Sequence, residues 1–178
     1  MAWIYDLTVD FEKNERAAKA FADAVSKRLG IFESGTAVQR LHKPTVFRPQ
    51  DGRGDRVHVS VIPVGVSLEL PADKGLEVQD FGDDVPQSIP LALLELLRGN
   101  TAFAMAMPGW EAEWLGLEAL IEDYEEDIEM GTLHGLVIAD RLIPQLAKSR
   151  HWKEWAPGYS WLPFPGTEPK RAPKKGKK

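Results

Sequence analysis

The sequence predicts an α+β protein in which three to four helices pack against a largely antiparallel sheet. Hydrophobic and polar residues alternate between Arg56 and Leu70, which is typical of strands. Apolar residues recur at helical spacing in residues 12–29 and 111–129, which indicates amphipathic helices. Strands and helices do not alternate regularly along the chain, so a parallel βαβ fold is disfavoured. The 178 residues fit a single domain, which we expect to span residues 1–165.

The first half of the chain is predicted to contain one helix and most of the strands. The predicted strands cover residues 4–9, 36–41, 45–47, 56–70 and 76–79. The helix over residues 12–29 follows the first strand and ends at Gly30, where a C-terminal cap belongs. Its expected core residues are Ala18, Phe21, Ala22, Val25 and Leu29. Gly65 is predicted to mark a bulge or a tight hairpin within the longest strand region.

The second half of the chain is predicted to contain three helices and two strands. The helices are expected at residues 90–98, 111–129 and 140–148, and the strands at 101–107 and 135–139. Pro108 and Gly109 are expected to end a strand, and Asp140 is expected to cap the last helix. The segment 151–165 is rich in Trp, Pro and Gly. It is predicted to pack irregularly on the sheet as an aromatic lid.

The charge of the chain is divided between an acidic body and a short basic tail. Residues 166–178 hold six Lys and Arg and one Glu, which leaves 16 basic and 26 acidic side chains in residues 1–165. The acidic body disfavours nucleic acid as a partner and favours a basic protein. The tail contains mostly Pro, Gly and Lys, so it is predicted to be a disordered, solvated extension.

Composition and motifs also bear on compartment and chemistry. The chain has no cysteine, which removes disulfides, thiolate catalysis and cysteine-based zinc sites. Its apolar stretches are too short to cross a bilayer and its first residues lack a signal-peptide pattern, so we expect a cytoplasmic protein without a membrane partner. Phosphate-loop, dinucleotide-binding, nucleophile-elbow and zinc-protease motifs do not occur. We therefore predict no enzyme activity, catalytic residue, cofactor or metal, and the sequence leaves the oligomeric state open.

The four histidines are isolated in the sequence and form no paired metal-ligand motif. His58 lies between valines on the strongest strand and shares a face with Ser60, which predicts that both line the wetter side of the sheet. An alternative hypothesis is a small-molecule-binding protein or enzyme with a pocket between the sheet and the aromatic segment. Its candidate residues are His58, His134 and His151.

The segment from Glu111 to Glu129 is the most unusual feature of the sequence, with nine acidic residues and no Lys or Arg. As one helix, it would have a core stripe of Trp114, Leu117, Ile121, Tyr124 and Ile128. Its four like-charge i,i+4 pairs would destabilise that helix by roughly 1–2 kcal/mol, a conflict that indicates a functional surface. The candidate partner-binding residues are Trp110, Glu111, Glu118, Glu122, Asp123, Glu125, Glu126 and Glu129.

Two aromatic segments carry a resemblance to a known class of proteins: Gly109-Trp110-Glu111 and Ser160-Trp161-Leu162-Pro163-Phe164. Within a small, acidic, cysteine-free body that ends near residue 165, they resemble the immunity proteins of bacterial polymorphic toxin systems, such as those delivered by type VI secretion. The resemblance implies that the protein neutralises a toxin, often a basic nuclease, by covering its active site. A further hypothesis is a nucleic-acid mimic, whose carboxylates would follow the spacing of phosphates and whose partner would bind DNA.

Overall fold

The computed structural model of this chain describes residues 4–27, 32–34, 37–49, 55–67, 73–74, 85–100, 102–112 and 116–167. The strands are β1 (Tyr5–Asp10), β2 (Phe32–Ser34), β3 (Ala37–Gln39), β4 (Thr45–Phe47), β5 (His58–Val61), β6 (Met105–Trp110), β7 (Val137–Ala139), β8 (Lys153–Ala156) and β9 (Tyr159–Trp161). The helices are α1 (Glu15–Ser26), α2 (Ser88–Glu95), α3 (Leu117–Glu122) and α4 (Glu125–Met130), and a 3-10 helix spans Asp140–Gln145. The predicted α+β class is confirmed. Residues 29–30, the predicted strand 76–79 and residues 168–178 of the predicted tail lie outside the described residues.

Seven of the strands form one antiparallel sheet in the order β4-β5-β1-β6-β7-β9-β8, and β2 pairs with β3 separately. β1 lies between β5 and β6, with Leu7 opposite Val61 on one side and opposite Pro108 on the other. All six residues of β1 are buried. This strand is therefore covered on both faces, and polar residues on it are held away from solvent.

Helices cover both faces of the sheet. Successive side chains of a strand point to opposite faces, so Met105 and Ala106 of β6 lie on different sides. Ala106 belongs to a hydrophobic cluster that contains Phe21 of α1 and Leu93 of α2. Met105 belongs to a second cluster that contains Leu120 of α3. The helices α1 and α2 therefore pack on one face, and α3 and α4 pack on the other.

The first helix has the predicted core face. Its buried residues are Ala18, Phe21, Ala22 and Val25. It begins at Glu15, three residues later than predicted, because the Asn14 side chain accepts a hydrogen bond from the Ala17 N–H at 3.0 Å and caps the helix there.

The strand region 56–70 is shorter than predicted. β5 ends at Val61 and residues 64–66 form a turn, so the prediction that the strand resumes around Gly65 is wrong at Val64 and Val66. Gly65 has a φ of 76° and donates its N–H to the buried Asp73 carboxylate at 3.1 Å. A left-handed residue and a side-chain acceptor here satisfy the backbone without a strand partner.

Pro108 and Gly109 lie inside β6, so the prediction that they end the strand is wrong. β6 pairs with β1 along its whole length but with β7 at its first two residues. The Glu111 N–H donates to the Ile4 carbonyl of the neighbouring chain segment. Backbone N–H groups alternate sides along a strand, so the Pro108 nitrogen faces the side where the pairing with β7 has ended. A proline at this position removes no ladder hydrogen bond.

The predicted helix at residues 140–148 is a 3-10 helix that ends at Gln145. Ala139 is the N-cap of this helix and Asp140 is its first residue, so the prediction that Asp140 caps it is wrong. The Asp140 carboxylate instead accepts a hydrogen bond from the Ser160 hydroxyl at 2.7 Å. Pro144 lies inside this short helix and lacks an N–H, which favours a tight turn over a longer α-helix.

The C-terminal aromatic segment forms part of the sheet, so the predicted irregular lid is wrong. β8 and β9 pair as a hairpin across Pro157 and Gly158, and β9 joins β7. Gly158 has a φ of 82°, which suits a two-residue hairpin turn. The Trp155 and Trp161 rings lie 5.1 Å apart and bury the hairpin against the rest of the core. The Pro and Gly that suggested irregular packing mark this turn.

Candidate partner-binding surface

The acidic segment forms two short helices rather than the single helix predicted over residues 111–129. Trp110 still belongs to β6, and Glu111 forms a turn with a φ of 50°. The helix α3 begins after Gly116, and Asp123 and Tyr124 separate it from α4. Pairing with β1 holds the chain extended to Trp110, and repulsion between neighbouring carboxylates opposes a continuous helix. The break removes the helical register of Glu122 with Glu126 and of Asp123 with Asp127.

The core contacts of this segment also differ from those predicted. Leu120 and Ile128 are fully buried in the cluster over Met105, whereas Ile121 is exposed. Leu117 and Tyr124 are partly buried against that cluster, and Trp114 lies outside the described residues. The predicted stripe assumed one uninterrupted helical phase. Two helices separated by a break can each bury their own leucine or isoleucine without that constraint.

Six carboxylates of α3, α4 and their junction are exposed, and we call this set the acidic surface. It consists of Glu118, Glu122, Asp123, Glu125, Glu126 and Glu129. Within the described residues, none of the six forms an ion pair or a side-chain hydrogen bond. Asp127 differs, because its carboxylate accepts a hydrogen bond from the Thr132 hydroxyl at 2.6 Å. The acidic surface therefore carries charges of one sign, and no ion pair among the described residues neutralises them.

Two apolar side chains lie on the same pair of helices. Ile121 is 41% exposed and Met130 is 59% exposed. They are the large hydrophobic residues that the described part of the chain leaves exposed, and α3 and α4 hold one each. A Met side chain adapts to varied partner shapes, and an apolar contact inside a charged rim is a common arrangement in protein interfaces.

The remaining two predicted binding residues lie at the end of β6 rather than on the helices. Trp110 is half-buried, with its ring edge-on to Tyr5 at a centroid distance of 5.3 Å. Burial, followed by the nearby Asp6 charge, raises the pKa of Tyr5 far above its usual range. Glu111 is exposed next to Trp110. The structure thus places these two residues on a separate element, and their contribution to partner binding stays a prediction.

The C-terminal end of α4 is fixed by a glycine and by the chain around His151. Gly131 has a φ of 74° and closes α4 in the left-handed conformation, with its N–H directed at the Ile128 carbonyl. The Ser149 hydroxyl donates to the Glu129 carbonyl at 3.4 Å. Lys148 and Arg150 line a shallow depression with Glu129 and Met130. The acidic surface therefore meets basic side chains at one end.

Replacing Gly131 with alanine is expected to lower the free energy of unfolding by about 3 kcal/mol, through left-handed strain and overpacking. A Cβ at this position would lie 2.6 Å from Cγ of His151. Gly99→Ala is the matched control, because Gly99 has a φ of 82° but no atom within 4 Å of the added Cβ. Its expected cost is about 1 kcal/mol, from strain alone. Equal costs in chemical denaturation would show that His151 moves aside freely.

A second cluster of polar groups is buried on the sheet face that also carries α3 and α4. It consists of Asp6, Thr8, Asp10, His58 and Ser60. The Thr8 hydroxyl donates to the Asp6 carboxylate at 2.9 Å, and the Ser60 hydroxyl donates to the same oxygen. His58 is 2% exposed and Ser60 is buried, so the prediction that they line the wet side of the sheet is wrong. A sequence signal for this cluster does exist, because Asp6 and Asp10 alternate with Leu7 and Val9 along β1 and so mark one face of the strand as polar.

Asp10 is the centre of this buried cluster. Its Oδ2 accepts hydrogen bonds from Nε of Arg56, at 2.7 Å, and from Nη2 of the same side chain. Its Oδ1 accepts the Glu12 N–H at 2.7 Å and lies 3.7 Å from Nε2 of His58. Glu12 itself has a φ of 52°, and its carboxylate forms a two-pronged ion pair with Arg141. The hydrogen bonds that Arg141 donates to the Glu12 carboxylate raise the pKa of the Arg141 guanidinium.

The other histidines take structural positions. Nε2 of His42 lies 2.7 Å from Oδ1 of Asp73, and Nδ1 of His134 lies 3.1 Å from the Pro163 carbonyl. His151 packs against Gly131. His58, His134 and His151 therefore contact different parts of the described structure. Among the described residues, no group of three or more His, Cys, Asp and Glu is arranged to hold a metal ion.

Comparison of this chain with protein-family models, with curated proteins and with solved structures finds no match. Among the helices that the structure describes, none is long and apolar enough to span a bilayer.

Proposed function

We propose that this protein is an immunity protein, which binds and neutralises a basic, nuclease-like toxin through the acidic surface. The supporting observation is a set of six exposed carboxylates that have no ion-pair partner among the described residues, together with the exposed Ile121 and Met130 on the same two helices. The proposal assigns no catalytic residue, cofactor or metal to the protein. It places the protein in the cytoplasm, where it would protect the cell that makes it.

The two kinds of side chain have different roles in this proposal. Uncompensated carboxylates raise the local concentration of a cationic partner and speed its association. The apolar side chains of Ile121 and Met130 contribute when they are desolvated in the complex, which slows dissociation. A basic protein with an apolar patch inside its cationic surface fits both features. Free nucleic acid fits neither, since its phosphates would be repelled by the acidic surface.

The alternative hypothesis, a small-molecule-binding protein or enzyme, relied on an irregular aromatic lid over the sheet. That segment forms β8 and β9 of the sheet, so it does not close over a site. The nucleic-acid mimic differs from the immunity proposal in its partner, because it requires a DNA-binding protein whose DNA-binding groove is the surface that is covered.

The proposal predicts that an open reading frame beside the gene of this protein encodes a toxin with a basic C-terminal domain, and that domain is the partner to be measured. Surface plasmon resonance is expected to show nanomolar binding that weakens about tenfold or more between ~50 and ~500 mM NaCl, because salt screens exposed charges. Binding should also abolish the activity of the toxin, measured for a nuclease as the rate of nucleic-acid cleavage. Binding without any salt dependence, or no inhibition by the bound protein, would contradict the proposal.

Changing both apolar residues to serine, Ile121→Ser with Met130→Ser, is expected to raise the dissociation rate constant about tenfold or more while the association rate constant changes little. The two side chains touch the partner only after docking, so they do not act at a distance. The control is Ala24→Ser with Ala102→Ser, two exposed positions away from α3 and α4. An unchanged dissociation rate in the Ile121 and Met130 variant would place the interface elsewhere.

A further inference from the structure

A groove runs between α1 and the chain that follows α2. It has a volume of about 520 Å³, which is within the usual range of small-molecule sites. Ala17, Ala20 and Ala24 line one wall, and Leu96 lines the other. The alanines leave the space open because their side chains are short. The groove lies on the sheet face that carries α1 and α2, opposite the face that carries α3 and α4.

The polar side chains of the groove are donors. The oxygen of Asn14 accepts the Ala17 N–H, and the oxygen of Asn100 accepts the Ala102 N–H at 2.9 Å. Backbone N–H groups can only donate, so each asparagine is left with its NH₂ group as the free end. Asn14 and Asn100 both line the groove. Neither NH₂ group has a hydrogen-bond acceptor among the described residues.

Two arginines complete the lining. Arg16 forms no hydrogen bond or ion pair within the described part of the chain. Arg98 is held in place by Glu95, by a 3.2 Å hydrogen bond to the Trp155 carbonyl and by its position 4.2 Å over the Trp155 ring. No carboxylate is among the described residues that line the groove. The described lining of the groove therefore lacks acids, although the body of the protein, residues 1–165, has a strongly negative net charge.

We propose that this groove binds a small organic anion, with its carboxylate held by Arg16 and the two asparagine NH₂ groups and its apolar part against the alanines and Leu96. Guanidinium and amide donors satisfy a carboxylate, and they would leave an uncharged ligand without equivalent hydrogen bonds. The short side chains of Ala17, Ala20 and Ala24 admit an aliphatic chain. This site is separate from the acidic surface and does not depend on the partner proposed above.

The probe is hexanoate, titrated into the isotopically labelled full chain and followed by amide chemical shifts. Saturable shifts are expected at Ala20, Ala24, Gly99 and Asn100. Arg16→Gln should weaken hexanoate about tenfold, since a charge-assisted hydrogen bond is lost. Lys19→Gln is the matched control, because it removes one positive charge from the same helix at a residue outside the groove and should leave the affinity unchanged. Ala20→Trp fills the groove from an exposed position and should abolish the shifts.

Two further ligands separate the parts of the proposal. 1-Hexanol tests the carboxylate and inorganic phosphate tests the apolar wall, and each should bind far more weakly than hexanoate. Equal binding of either ligand, equal loss in the Arg16 and Lys19 variants, or no saturable shifts at millimolar hexanoate would overturn the assignment. The Glu122→Lys, Glu125→Lys variant is expected to bind hexanoate normally, so this result is independent of the acidic surface.

Discussion

Changing Glu122 and Glu125 to lysine is expected to slow association with the basic partner by about tenfold to a hundredfold at low salt, through loss of electrostatic steering. Glu122 ends α3 and Glu125 begins α4, so the two residues flank the junction of the acidic surface. Both are exposed and neither is paired within the described residues, so the change should leave the fold intact. The measurement is the association rate constant in stopped-flow mixing.

The control is a second double reversal, Asp23→Lys with Glu154→Lys, which changes the net charge by the same amount. Asp23 lies on α1 and Glu154 on β8, and both are exposed. If the position of the charge matters, this control should slow association far less than the reversal on the acidic surface. Similar slowing in the two variants would mean that net charge alone attracts the partner. Unchanged association in both would exclude the acidic surface from the interface.

The acidic surface shows which part of a site the sequence can predict. The run of acids without Lys or Arg indicated a charged face, and six of the predicted residues are exposed together on α3 and α4. The exposure of Ile121 was missed, because the apolar spacing was fitted to one continuous helix. The position of the break depends on pairing of β6 with β1 and on the separate burial of Leu120 and Ile128. Those are contacts between distant parts of the chain, which local spacing does not contain.

The presence of a strand was predicted more accurately than the residues at which it begins and ends. The first strand, the strand at 45–47 and the strand near 137 were all predicted from alternation or apolar runs. Two predictions based on proline and glycine were wrong: a strand end at Pro108 and irregular packing around Gly158. The effect of these residues depends on which backbone groups have hydrogen-bond partners. The ion pair of the buried Asp10 with the partly buried Arg56 was missed for a similar reason. Charged residues far apart in sequence met only through the register of β1 with β5.

Replacing Asp10 with alanine is expected to lower the free energy of unfolding by about 3 kcal/mol, because the partly buried Arg56 would lose the buried carboxylate that pairs with it. Arg56 would lose both of its hydrogen bonds to Asp10, and the Glu12 N–H would lose its acceptor. Asp10→Asn keeps an acceptor but not the charge, so its cost should be smaller. Urea denaturation gives the free energy, and Glu15→Ala, which removes exposed ion pairs with Lys19 and Arg48, should have far less effect.

The double variant Asp10→Asn, Arg56→Gln separates the pair from its surroundings. If most of the cost of Asp10→Asn comes from the uncompensated Arg56 charge, the double variant should be less destabilised than the sum of the two single variants. Strict additivity would mean that Arg56 gains little from Asp10 and that solvent compensates it instead. In that case the main contribution of Asp10 would be its hydrogen bond to Glu12, which holds the left-handed turn between β1 and α1.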